Sequence, residues 1–68
     1  MRVTLNGEPR ELPDRASVAE AVSAAGGQPD GRGLAVAVDG EVVPRGRWAA
    51  VELDDGQHVE ILRAAQGG

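Results

Sequence analysis

A chain of 68 residues makes one small domain, and at that size only about 60% of the unfolded surface becomes buried, so the core must be small and simply patterned. Cysteine is absent, which excludes disulfides, thiolate metal sites and cysteine nucleophiles; residues 1–7 lack the apolar stretch of a signal peptide and no later run reaches the length of a membrane span, so a cytoplasmic protein with no membrane partner is expected. The net charge of −4, from 11 acidic and 7 basic residues, argues against a nucleic-acid partner and for partners with basic surfaces.

Residues 2–6 alternate, with Val3 and Leu5 on one face and Arg2 and Thr4 on the other, and lead into Asn6-Gly7, a strong signal for a two-residue hairpin. The return strand runs from Glu8 to Leu12, with Leu12 as its inward anchor. Pro9 lacks a backbone N–H and places this strand at a sheet edge or delays its start. Ser17-Val18-Ala19-Glu20 has the form of a capping box, so a helix is expected to begin there and to lay Val18, Ala21, Val22 and Ala25 on the sheet. Gly26-Gly27 stops it after about two turns, and Pro29 prevents its resumption. The glycine-rich stretch 26–33 follows a helix and opens a strand, the reverse of a phosphate-cradling loop, and is read as a crossover connection.

Leu34 to Val38 is a continuous apolar run, short enough for a buried central strand. Asp39-Gly40 signals a second hairpin, with Glu41 to Val43 as the partner strand and Pro44 ending it. A turn over residues 45–50 follows. Within it Trp48, the one aromatic residue, is read as a lid over one end of the core or, alternatively, as an anchor for a partner. Val51 and Leu53 continue inward, Asp54-Asp55-Gly56 turns, and Gln57 to Arg63 forms the last strand. Val59 and Ile61 point inward there, leaving His58, Glu60 and Leu62 outward. No second histidine or any cysteine exists to complete a metal set with His58.

The sequence then passes from this strand into Arg63-Ala64-Ala65-Gln66-Gly67-Gly68. Glycine has no Cβ, so Gly67-Gly68 can lie extended in a channel too narrow for other residues and bring a carboxylate to a foreign active site; the plain alternative is a frayed end. All seven basic residues are arginines, so the chain offers no lysine on which an activated carboxylate could form an isopeptide with another copy.

The element order, strand, strand, helix, strand, strand, strand, with a hairpin first and a crossover helix between, gives an α+β, β-grasp (ubiquitin-like) layout. It is a mixed sheet of four to five strands with one helix across one face and the first and last strands adjacent in the middle. Residues 1–63 form the domain and 64–68 a flexible tail. The expected core is Val3, Leu5, Leu12, Val18, Val22, Val36, Val38, Leu53, Val59 and Ile61. The hydroxyls, carboxylates and single histidine form no nucleophile–base–orienter set, so the chain is expected not to be an enzyme, and whatever chemistry occurs uses its end.

Leu5-Asn6-Gly7-Glu8, Asp39-Gly40-Glu41-Val42-Val43-Pro44-Arg45-x-x-Trp48, Asp55-Gly56-x-x-Val59-Glu60-Ile61 and Gln66-Gly67-Gly68 together resemble the ThiS family of thiamine-biosynthesis sulfur carriers over the whole chain. Gln57 is a small departure, since the family often has an acidic residue after Asp-Gly. The resemblance implies a protein co-substrate that binds no cofactor itself. An E1-like adenylating enzyme with ATP converts the Gly68 carboxylate to an acyl-adenylate. A cysteine-derived persulfide, from a cysteine desulfurase or rhodanese type of donor, displaces AMP, and the resulting thiocarboxylate gives sulfur to thiazole synthase. Gly67 and Gln66 would thread into the partner, and Leu62, Glu60 and Trp48 are the candidate docking residues. Three alternatives stand beside this reading: a carrier like the small subunit of molybdopterin synthase, a non-catalytic β-grasp interaction module, and a ubiquitin-like modifier.

Overall fold

Residues 1–27 and 32–63 are described by the computed structural model. They form β1 (Arg2–Leu5), β2 (Glu8–Glu11), α1 (Val18–Ala24), β3 (Leu34–Val38), β4 (Glu41–Val43), a 3-10 turn over Arg45–Arg47, and β5 (His58–Arg63). Both hairpins turn where the sequence marks them. Asn6 and Gly7 have φ of 50° and 84°, and Asp39 and Gly40 have 49° and 86°. Two successive positive φ values are the mark of a type I′ turn, whose twist matches that of the strands it joins.

The strand order is β2-β1-β5-β3-β4. β5 pairs parallel with β1 and antiparallel with β3, so the last strand in the sequence is the middle one in space. Pro9 sits in edge strand β2, opposite Thr4, where its missing N–H costs no inter-strand bond.

Ser17 caps α1: its Oγ accepts from the Glu20 N–H at 3.1 Å. Glu20 is exposed, and the returning bond of the capping box is not formed among the described residues. The start of the helix is held instead by a bridge between Ser17 and Glu52, in which Val18 N–H donates to Val51 O at 2.9 Å and Leu53 N–H to Ala16 O at 2.8 Å. At the other end Gly26, with φ of 87°, closes a Schellman motif: Gly26 N–H donates to Ser23 O at 3.0 Å and Gly27 N–H to Val22 O at 2.9 Å. Ala25, expected on the apolar stripe, is exposed because α1 is only 7 residues long and Ala25 is already its C-cap.

Nine of the ten expected core residues are buried, and Ile61 is half-buried. Ala16, Ala21 and Trp48 complete the cluster. The Trp48 indole is 5% exposed and its Nε1–H donates to Val43 O at 2.8 Å, which satisfies its one polar atom. One expectation is corrected. β3 is not buried on both faces, for Val36 and Val38 are buried while Ala35 is exposed and Ala37 half-buried. A single short helix covers only one face of the sheet, so even this apolar strand has a solvent side.

Candidate functional site: the outer face and end of β5

Side-chain alternation along β5 sends Val59 into the core and leaves His58, Glu60 and Leu62 exposed. Leu62, at 61% exposure, and Val42, at 74%, are the large hydrophobic side chains left in solvent among the described residues. Strand register brings them toward one another: Leu62 lies opposite Ala35, Glu60 opposite Ala37, and Ala37 opposite Val42. With strands about 4.8 Å apart, the outer face therefore carries a small apolar field across three strands, with the Glu60 carboxylate among its members. The type I′ turn at Asp39-Gly40 fixes the pairing of Val42 with Ala37, so this half of the field was derivable from the sequence, although β4 was read there only as a partner strand.

Two turn side chains grip β5 from its two sides. Asn6 Oδ1 accepts from Ile61 N–H at 2.7 Å and its Nδ2 donates to Ile61 O at 3.1 Å. Asp39 Oδ1 accepts from His58 N–H at 2.9 Å, its Oδ2 accepts from Gln57 Nε2 at 3.1 Å, and Asp39 N–H donates to His58 O at 2.8 Å. The His58 N–H, and after it the Gln57 amide, hold the Asp39 carboxyl below its ordinary value of 3.8. Neither grip was legible in the sequence, because Asn6 and Ile61 stand 55 positions apart.

Of the candidate docking residues, the structure brings Leu62 and Glu60 onto one face and sets Trp48 apart from them. Trp48 belongs to the core, which removes it as a docking residue: a buried indole with its N–H already bonded presents nothing to a partner. Gln66, Gly67 and Gly68 lie outside the described residues. Among the described residues no group of three or more His, Asp or Glu side chains is placed to hold a metal ion, and no helix is long and apolar enough to cross a membrane. A surface cleft of about 370 Å³ lies beside β4 and is lined by Val42, Val43, Val51, Glu41, Glu52 and Arg47 among others, and its lining includes no serine, threonine or histidine.

A five-stranded mixed sheet crossed by one helix, with the first and last strands parallel neighbours, defines a β-grasp protein, and the exposed face of β5 is its most distinctive surface. The ThiS family model matches residues 3–68. Among solved structures, a crystal structure of the thiamine biosynthesis protein ThiS from Geobacter metallireducens superposes with a TM-score of 0.80 at 31% identity, covering 100% of both chains. An NMR solution structure of a thiamine biosynthesis protein from the same organism gives a TM-score of 0.75 at 31% identity, over 100% of this chain and 88% of that one. A search of curated proteins returned no match. The chain belongs to the ThiS family.

Proposed function

We propose that this protein is the sulfur carrier for the thiazole moiety of thiamine, a co-substrate charged by partner enzymes. The observation that carries the proposal is the family match, which runs through Gly67 and Gly68. A carboxylate resists nucleophilic attack until one of its oxygens becomes part of a leaving group. An adenylating enzyme of the E1-like class joins the Gly68 carboxylate to the α-phosphorus of ATP and releases pyrophosphate. The terminal sulfur of a cysteine-derived persulfide then attacks the acyl carbon and AMP leaves. A thiol cleaves the resulting acyl disulfide at its S–S bond, freeing the Gly68 thiocarboxylate and leaving the donor sulfur in a disulfide. The thiocarboxylate donates its sulfur to thiazole synthase. Leu62, Glu60, Ala35, Ala37 and Val42 form the address that both partners read, and Gly67 with Gln66 forms the slim arm that enters their active sites.

The test is an intact-mass measurement after incubation with the adenylating enzyme, ATP and a persulfide donor. The expected product has one oxygen of Gly68 replaced by sulfur. A chain that never acquires that mass under conditions that charge a ThiS protein refutes the proposal.

A further inference from the structure

Resting on that reading, we infer that Asn6 is a positioning residue for the charging reaction: its carboxamide fixes the end of β5, the last described element ahead of Gly68 in the sequence. The pairing of β1 with β5 stops at Leu5 opposite Val59, and Asn6 N–H adds one bond to Val59 O at 2.9 Å. Beyond that point β1 has turned away into its hairpin. Ile61 would face open solvent with both its peptide groups, and the Asn6 side chain supplies a donor and an acceptor in place of the missing strand residue. Packing holds this end only in part, through Ile61 and Leu34 at the margin of the core. Ile61 is only half-buried, and below it, between Asn6, the helix terminus at Gly26 and Gly27, Leu34 and Arg63, lies a cleft of about 180 Å³. Hydrogen bonds on the β1 side therefore add to this partial burial in setting how firmly residues 61–63 stay on the sheet.

The turn and the grip are separable roles of the same residue. Asn6 has φ of 50°, which glycine adopts without strain, so Asn6→Gly keeps the type I′ turn and deletes the carboxamide, while Asn6→Asp keeps an acceptor for Ile61 N–H and loses the donor to Ile61 O. A reporter that is not itself bonded to Asn6 is available. Bonds of His58 to Asp39 on the β3 side fix the alternation, so the backbone groups of residues 58, 60 and 62 face β3, and the Leu62 N–H is shielded by Ala35.

The experiment uses the full chain and its adenylating partner. Amide exchange is followed by NMR, and adenylation is followed as exchange of pyrophosphate into ATP. In Asn6→Gly, Leu62 N–H is expected to exchange about tenfold faster, the loss that about 1.4 kcal/mol of hydrogen bonding implies, while Val36 stays within about twofold. The kcat of pyrophosphate exchange falls about fivefold or more, with a smaller change in KM, because Glu60, Ala35, Ala37 and Val42 still dock. Asn6→Asp falls between wild type and Asn6→Gly in both readouts. Unchanged Leu62 exchange in Asn6→Gly, or a loss confined to KM, overturns the inference. A wild-type chain that supports no pyrophosphate exchange at all refutes the sulfur-carrier reading instead, and the Leu62 measurement tells the two failures apart.

Discussion

Leu62 and Val36 sit on neighbouring strands and opposite faces, so truncating each separates docking from folding. Leu62 is 61% exposed, which leaves about two-fifths of it shielded by the fold. Full burial of a leucine side chain contributes about 1.5–3 kcal/mol, so Leu62→Ala removes at most about 0.6–1.2 kcal/mol of stability. In a domain of 68 residues that lowers Tm by about 2–10 °C. Covering the exposed three-fifths in a complex contributes about 1–2 kcal/mol by the same coefficient, so Kd for the proposed adenylating partner rises about 5–30-fold. Val36 is 1% exposed and lies opposite Ile61. Val36→Ala opens a cavity in the core and costs about 2 kcal/mol of stability while leaving the outer face intact, so Kd measured well below its Tm changes less than about threefold. Calorimetric titration of the folded variants against the partner, beside thermal unfolding of each, reads both quantities. If Leu62→Ala lowers Tm as far as Val36→Ala does, or leaves Kd unaltered, the assignment of the outer face to docking is wrong.

Two further substitutions test the frame that carries this face. A Cβ built on Gly27 would lie 2.5 Å from Val22 Cγ1 and 3.0 Å from both Leu34 Cδ1 and Val22 O, and Val22 is itself buried. Overpacking of about 1–3 kcal/mol outweighs the 0.4–1 kcal/mol gained from a stiffer unfolded chain, so Gly27→Ala destabilises by about 1–2 kcal/mol, and an unchanged or raised urea midpoint contradicts this packing. Asp39 tests the other turn by its pH dependence. Its folded pKa lies below the ordinary 3.8 because His58 N–H and the Gln57 amide bond the ionised form, so its contribution is complete above the unfolded value and is lost as pH falls through the folded one. Tm of the wild type therefore drops more steeply below about pH 4 than that of Asp39→Asn, and parallel curves in that range refute the role of the charge.

Local signals carried most of the fold because they act within a few residues. Asn6-Gly7 and Asp39-Gly40 demand positive φ at two successive positions, Ser17 offers its hydroxyl three residues ahead, and Gly26 ends a helix that has no room to continue. What escaped reading is non-local. An apolar run such as Leu34–Val38 looks the same whether one or two layers cover it, and only the presence of a single 7-residue helix decides that Ala35 meets water. Ala16 escaped for a related reason: it precedes the helix and is buried by the returning segment at Leu53, whose N–H bonds its carbonyl across 37 positions. The exposed Leu62 and Glu60 followed from alternation alone, whereas Val42 needed the register of the second hairpin as well.

The grips on β5 answer a problem created by that same alternation. Side chains on a strand change face at every residue, so a slip of one position would carry Val59 out of the core, turn Glu60 into it, and replace Leu62 on the outer face. The buried face specifies the register strongly, since a slip would exchange the buried Val59 for a carboxylate. Asn6 and Asp39 then tie the seated strand from its two sides, bonding the peptide groups of Ile61 and His58, three positions apart. The turns that build the two hairpins thus also hold β5 against both of its neighbours, and with it the face that carries Glu60 and Leu62. Under the proposed sulfur-carrier role, holding that face in place is what the fold contributes to the reaction.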